Sequence, residues 1–289
     1  MARSDIFIEL TTEEIVVLCE AGGLGLPISL ADEPLGHLTE SRAALAKSNA
    51  QRSLVARRAM QTEEDGVTRP IEAIRTILEV ASAPGIIGLV TVELIDEEDI
   101  DVRTLAVLPE LGVEARKVGT NLHRFTPFAP EDLVARIIRL LDLRPSGIPT
   151  NVTFEATFGA LERCGEIVEE AGNDSLDAAV AVLVADGIAA DSAEIFVEAL
   201  SVRRGSTQIA LFHKPSDTLM EGGSLSFIDA GLAGYWQTDA LEPGDANKTA
   251  KITSVDAQSL AKQVIDFLPE AFGDRVPRGL QAVLARPSV

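Results

Sequence analysis

The residue types that most often carry catalysis or bind metals are sparse in this chain of 289 residues. Its three histidines, His37, His123 and His213, form no i, i+4 pair and have no cysteine near them in the sequence. A two-histidine zinc helix needs that spacing, and the G-x-S-x-G turn that presents a nucleophilic serine is absent as well. We therefore predict no catalytic residue and no metal ligand. One enzyme alternative stays open, a small-molecule enzyme that uses a carboxylate pair with His123 or His213.

The two cysteines, Cys19 and Cys164, are too few for a disulfide framework or a four-cysteine zinc site. We interpret both as small, buried apolar side chains. The glycine-rich stretch 21–26, AGGLGL, follows a predicted helix rather than a strand, and it lacks the lysine of a phosphate-binding loop. We therefore expect no cofactor.

A dense acidic stretch, ELIDEEDID, occupies residues 93–101. A calcium loop requires a central glycine and a glutamate at its twelfth position, and neither is in place here. The stretch is typical of a solvated hairpin turn whose charges protect a sheet edge. The alternative is a docking point for a basic partner.

The only tyrosine and the only tryptophan, Tyr235 and Trp236, are adjacent in a stretch that alternates like a strand. Neighbouring side chains of a strand point to opposite faces of the sheet. Only one of the two can therefore face a given core, and the other needs a separate explanation. Either the protein's own helices cover Trp236, or an aromatic side chain lies on an open sheet face.

Composition excludes several classes of partner. The chain has 45 acidic and 25 basic residues, a net charge of -20, and 46% hydrophobic residues. The net charge repels phosphate backbones and anionic membrane surfaces, so we expect neither nucleic-acid binding nor membrane insertion. The longest apolar stretch, residues 178–190, is interrupted by Asp186 and is too short to span a bilayer. These features predict a folded, cytoplasmic protein.

The order of predicted elements occurs twice. Each half begins with a strand, continues with helices and three strands joined by turns, and closes with an amphipathic helix. An offset of 127 residues aligns the two closing helices, with Leu133 matching Leu260 and Ile137 matching Val264. We predict an α+β protein with two halves, residues 1–144 and 150–289. The short linker favours one pseudo-twofold domain with a shared central antiparallel sheet over two separate domains.

This plan resembles that of the EspG family of cytosolic chaperones, which serve the type VII (ESX) secretion systems of actinobacteria. The resemblance spans roughly residues 5–272 and includes the stretch GGSLSFIDAGLAGYW. In that family an aspartate, a glycine followed by arginine, and a tyrosine lie on a late strand, and Asp229, Gly234 and Tyr235 are near this pattern. No arginine follows Gly234 here, and Trp236 takes the position after Tyr235.

The resemblance implies binding without catalysis. EspG proteins hold a secreted PE–PPE heterodimer by covering the apolar tip of its helical bundle, so a PE–PPE-like or other helical secretion substrate is the implied partner. An exposed aromatic on a sheet would anchor such a tip, and the acidic hairpin would form a rim. The other candidate is a structural homodimer that closes an exposed sheet face. The predicted partner-binding residues are Trp236, Tyr235, Phe227, Val90, Val92 and Phe125.

Overall fold

A computed structural model describes residues 6–30, 34–95, 100–147, 151–171, 176–216, 219–238 and 246–272. The first half begins with β1 (Ile8–Thr11) and α1 (Thr12–Gly22), followed by α2 (Glu40–Ala56). A small hairpin, β2 (Met60–Thr62) and β3 (Thr68–Pro70), precedes α3 (Glu72–Ser82). Four long strands and a helix complete this half: β4 (Ile86–Leu94), β5 (Asp101–Val107), β6 (Gly112–Lys117), β7 (Leu122–Phe128) and α4 (Leu133–Leu140).

The second half follows the same order. It begins with β8 (Thr153–Thr157) and continues with three helices, α5 (Phe158–Ala171), α6 (Leu176–Ala185) and α7 (Ala190–Ser201). Four strands and the last described helix follow: β9 (Gly205–Ser216), β10 (Leu219–Asp229), β11 (Tyr235–Thr238), β12 (Thr249–Val255) and α8 (Ala257–Phe272).

Ten strands form one antiparallel sheet in the order β1-β7-β6-β5-β4-β9-β10-β11-β12-β8. The two halves meet where β4 pairs with β9, and Val90 lies opposite Ile209 near the middle of that pairing. The order on one side of this junction mirrors the order on the other. The predicted mixed class and the shared central antiparallel sheet are confirmed. The half boundaries at 144 and 150 stay a prediction, and residues 148–150 lie outside the described part.

Each half has four meander strands where the sequence pattern predicted three. In the second half, the chain turns between β10 and β11 through Gly231 and Gly234, whose φ angles are +62° and +87°. Glycine adopts this left-handed region without the steric cost that a Cβ imposes. In the first half, residues 113–128 divide in the same way between β6 and β7.

The hairpin of β2 and β3 was not predicted, and it separates α2 from α3. Helix α2 ends at Ala56, and Pro70 closes β3. Helix α3 begins at Glu72 after Ile71, which has extended backbone angles. Proline is tolerated at the edge of such a short hairpin.

The two faces of the sheet carry different helical layers. Because side chains alternate along each strand, neighbouring strand residues belong to different apolar clusters. One face, here called the multi-helix face, packs against α1–α3 in the first half and against α5–α7 in the second. The opposite face, here called the two-helix face, packs against α4 and α8 and holds a cluster that runs across both halves.

The closing helices confirm the 127-residue offset at the positions that decide packing. Leu133 and Ile137 of α4 and Leu260 and Val264 of α8 are all completely buried in the cluster of the two-helix face. Side chains separated by three or four residues share one side of a helix. Each closing helix therefore lays an equivalent apolar stripe on the sheet.

The first helix of each half begins in the same way, directly after an edge strand that ends in threonine. Thr11 Oγ1 accepts from the backbone N–H of Glu14, and the Glu14 carboxylate accepts from the backbone N–H of Thr11, so the two residues form a capping box. Thr157 Oγ1 accepts from the backbone N–H of Ala160 at 3.2 Å. No capping box forms there, because position 160 is alanine.

Candidate functional site

The six residues predicted to bind a partner do not share one surface. Val90, Val92, Phe227 and Tyr235 lie on the two-helix face under α4 and α8. Phe125 lies on the multi-helix face under α1–α3, and Trp236 lies on that face under α5–α7. All are buried except Val92, which is half-buried.

Tyr235 and Trp236 are each only 2% exposed. The expectation that one of this pair lies on an open sheet face is wrong, because helices cover both faces of the sheet at β11. The alternative, in which the protein's own helices cover Trp236, is the one observed. Whether any of the six residues contributes to binding a partner stays a prediction.

Tyr235 connects the second half to the segment that leaves the first. Its hydroxyl accepts from the backbone N–H of Arg144 at 2.8 Å and donates to the Arg144 carbonyl at 3.3 Å. Its ring contacts Phe227 edge to face, with centroids 5.9 Å apart. Burial raises the pKa of the Tyr235 hydroxyl, which therefore stays a neutral donor at neutral pH.

Asp229 and Gly234, two residues of the motif that includes Tyr235, shape the turn between β10 and β11. The Asp229 carboxylate accepts from the backbone N–H of Gly231 at 2.7 Å, and the left-handed Gly234 leads the chain into β11. A Cβ at Gly234 would approach the Val255 carbonyl oxygen to 3.2 Å. In this chain the motif therefore has a visible structural role in shaping the turn before β11.

Trp236 is part of a chain of aromatic contacts on the multi-helix face. Its ring meets Phe196 of α7 edge to face at a centroid distance of 5.0 Å, and Phe196 meets Phe154 of β8 at 5.3 Å. The indole Nε1–H is buried and has no acceptor among the described residues. A buried donor without a partner is costly, so a small rearrangement that brings an acceptor to it would be favourable.

A cavity of about 650 Å³ opens beside Trp236. A volume of this size is typical of sites that hold a small molecule or a group of side chains from another protein. Its lining is mainly apolar, and sequence reasoning did not identify it because the residues come from five separate elements. Strands β10–β12 contribute Ile228, Trp236, Thr238 and Ile252, helix α5 contributes Phe158, Leu161, Glu162 and Gly165, α7 and the turn after it contribute Phe196, Leu200 and Arg203, and Ala246 completes the lining.

Gly165 is the sequence signal that could have pointed to this cavity. It lies in the interior of α5, where glycine is unfavourable relative to alanine. Among the described residues, a Cβ at this position would meet no atom outside its own stretch of helix within 4 Å. Close helix packing therefore does not explain the glycine, and the open space in front of it is part of the cavity.

The centre of the multi-helix face borders the cavity. Its side chains on β4, β9 and β10 belong to none of the apolar clusters, and they are half-buried or exposed. Ser226 of this region pairs with Thr238, which lines the cavity. We call this region the central strip, and it consists of Leu89, Thr91, Gln208, Ala210, Ser224 and Ser226.

Neither the histidines nor the cysteines assemble into a reactive centre. His123 lies on the multi-helix face, where its Nε2 is 3.1 Å from Thr12 Oγ1, whereas His213 lies on the opposite face in register with Ile86. Burial raises the pKa of Cys19 and of Cys164 to about 11, so both stay protonated thiols. Among the described residues, no group of three histidine, cysteine or acidic side chains could hold a metal ion.

The acidic hairpin is only partly visible, because residues 96–99 lie outside the described part of the chain. Glu93 and Asp101 lie at its described ends, on β4 and β5. Its proposed role as a rim therefore stays a prediction. No helix in the described ranges is long and apolar enough to cross a membrane.

In its described ranges the chain has the architecture of an α+β protein with a pseudo-symmetric antiparallel sheet between a layer of six helices and a pair of closing helices. A solved structure of this class is that of the Mycobacterium tuberculosis type VII secretion system chaperone EspG5 in complex with a PE25–PPE41 dimer. The TM-score is 0.61 at 14% sequence identity, over 92% of this chain and 97% of the chain it matches. The fold is therefore EspG-like. No protein-family model matches the sequence, and no curated protein matches it.

Proposed function

We propose that this protein is a non-enzymatic, cytoplasmic chaperone that binds a helical substrate of a type VII (ESX) secretion system, with a PE–PPE-like heterodimer as its client. The observation that carries the proposal is the EspG-like fold over nearly the whole chain, since the solved relative is a chaperone bound to a PE25–PPE41 dimer. The apolar cavity beside an incompletely covered sheet centre supports it. A helical tip with exposed apolar side chains needs such a surface to exclude water.

The client site consists of the cavity beside Trp236 together with the central strip. The cavity accepts one or two large apolar side chains of the client, because its lining is mainly aromatic and aliphatic. The central strip lies under the client backbone, where Thr91, Gln208 and Ser226 offer hydrogen-bonding groups in one row across three strands. Of the residues predicted from the sequence, Trp236 acts directly as a wall of the cavity, while the other five support the sheet from which the site is built.

The test uses Gly165, because one position allows both a blocking variant and a matched control. Gly165→Phe places a ring in the cavity, whereas Gly165→Ala adds only a methyl group with no described atom of another element within 4 Å. The full chain would be co-expressed with each small helical pair encoded beside its gene, and complexes would be captured and weighed by native mass spectrometry. We expect a stoichiometric complex with the wild-type chain and with Gly165→Ala, and its loss with Gly165→Phe.

The control also reports on folding. Gly165→Ala is expected to stabilise the protein by roughly 0.5–1 kcal/mol, because alanine is the better helix former, and this is measured by chemical denaturation. A stoichiometric complex that survives Gly165→Phe would place the client elsewhere and refute the site. Recovery of the chain without any helical client would refute the chaperone function, and the mass of the free protein would then decide whether it is the homodimer considered from the sequence.

A further inference from the structure

Three arginines lie side by side on the two-helix face of the first half. Arg103 of β5 is directly opposite Arg116 of β6, and Arg116 is directly opposite Arg124 of β7. Like charges in directly opposed positions of an antiparallel sheet repel each other and destabilise the pairing. A row of three cations is therefore expected only where anionic groups compensate it.

The two outer arginines are compensated by the protein's own carboxylates. Arg103 donates to Asp101 Oδ2 at 2.7 and 2.9 Å and to Glu114 Oε1 at 3.0 Å. Arg124 donates to Glu9 Oε1 at 2.5 and 2.9 Å. Both guanidinium groups are thus held in fixed positions at the two ends of the row.

The middle arginine is not compensated. Arg116 is half-buried, and its guanidinium has neither an ion pair nor a hydrogen bond within the described ranges. Helix α4 adds two further cations above this row. Arg136 donates to Glu114 Oε2 at 2.5 Å, whereas Arg139, almost one turn later, has no acidic partner in the described part of the chain.

Arg116 and Arg139 line the same cavity of about 320 Å³, one from the sheet and one from the helix above it. Among the described residues, five guanidinium groups and one carboxylate contribute to its wall, in a chain whose net charge is -20. The charged lining residues are Arg103, Glu114, Arg116, Arg124, Arg136 and Arg139.

We propose that this cavity binds a small multivalent oxyanion, whose phosphate or carboxylate groups lie between Arg116 and Arg139. The planar guanidinium group presents paired N–H donors that match both kinds of oxyanion. The cavity volume lies near the lower limit of small-molecule sites, which favours a compact ligand. The acidic remainder of the protein repels extended polyanions, so the positive potential acts on a ligand small enough to enter the cavity.

The test measures binding of two probes, pyrophosphate and citrate, to the full chain by isothermal titration calorimetry at constant ionic strength. We expect saturable binding of at least one probe at a single site. If pyrophosphate binds more tightly, the natural ligand carries phosphate groups, and if citrate binds more tightly, it carries carboxylate groups. Arg116→Gln and Arg139→Gln should each weaken binding roughly tenfold, because each removes charge-assisted hydrogen bonds. The matched control is Arg42→Gln, an exposed arginine on α2 beyond the opposite face of the sheet, and it should bind like the wild type.

Thermal unfolding of the same variants separates binding from folding. Without an anion, Arg116→Gln should not lower the melting temperature, since it removes repulsion from the row. With the anion, the melting temperature of the wild type should rise and that of the double variant Arg116→Gln/Arg139→Gln should not. Absence of binding by both probes, or unchanged affinity in both single variants, would overturn the proposal.

Discussion

The closing helices α4 and α8 show what the two halves share and where they differ. Both helices bury the same apolar stripe, with Leu133 and Ile137 matching Leu260 and Val264 at the 127-residue offset. The polar positions at the same offset differ. Arg136 and Arg139 on α4 correspond to Gln263 and Asp266 on α8. The stripe that holds the helix on the sheet is common to both halves, whereas the cationic cavity lies in the first half and has no counterpart among the described residues of the second.

The multi-helix face shows the reverse difference. In the first half, Phe125 and Val113 are completely buried under α1–α3. In the second half, the large apolar cavity remains between α5, α7 and the strands around Trp236. The proposed anion site and the proposed client site thus lie on opposite faces of opposite halves. Packing preserves the scaffold, and the positions that packing does not fix account for the difference between the two cavities.

The strongest test of the shared stripe is truncation of its equivalent leucines. Leu133→Ala and Leu260→Ala should each lower the free energy of unfolding by about 2–5 kcal/mol, because both side chains are completely buried. The measurement is equilibrium unfolding in urea, and the free energies are compared only if the variants and the wild type have the same m-value, the slope of the unfolding free energy against urea concentration. Exposed Leu45→Ala serves as the control and should have little effect on stability. A large loss in one helix with almost none in the other would break the equivalence of the two helices.

The polar difference is tested at Glu114, which is buried between Arg103 and Arg136. Glu114→Gln should cost about 3 kcal/mol, because it removes the buried carboxylate that accepts from both Arg103 and Arg136. The double variant Glu114→Gln/Arg136→Gln makes this site resemble the second half, where α8 has Gln263. The double variant should regain part of the unfolding free energy that Glu114→Gln loses, as measured by a double-mutant cycle. A simple sum of the two single effects would show that the ion pair is not coupled.

The helix caps provide a smaller test of the two halves. Thr11→Ala and Thr157→Ala should each cost about 1 kcal/mol, because each removes the acceptor for a backbone N–H at a helix start. Thr157→Ala should lower the free energy of unfolding more than Thr11→Ala does, since the Thr157 hydroxyl also donates to Asp186 Oδ1 at 2.9 Å. The corresponding serine variants keep the hydroxyl and should retain most of the stability in chemical denaturation. Equal costs in both halves would show that the Asp186 contact contributes little.

The smallest expected effect is a pH dependence confined to the first half. Burial, with a minor contribution from Lys117, lowers the pKa of His123 below its ordinary value of 6.5. The unfolded chain therefore takes up a proton before the folded chain does, and His123 reduces stability as the pH falls below 6.5. Unfolding free energies measured between about pH 5 and pH 8 should show a weaker decline for His123→Gln than for the wild type. An identical decline in both proteins would assign the effect to other groups.

The sequence by itself determined the class of the fold and the repetition in it. Strand alternation and the apolar stripes of the closing helices are local patterns, and their repetition in both halves predicted the shared central sheet. The additional strand in each half escaped prediction, because the turns at residues 118–121 and 230–234 are short and the pattern continues on both sides.

Tertiary structure decided which side chains share a surface. Alternation predicts that Tyr235 and Trp236 point in opposite directions, but only the two helical layers determine that both are buried. The cavity beside Trp236 forms between elements that are far apart in sequence, and the arginine row depends on the register of β5, β6 and β7. Strand register and the contacts between helices and sheet arise from pairing between distant segments. A local sequence pattern therefore does not predict them.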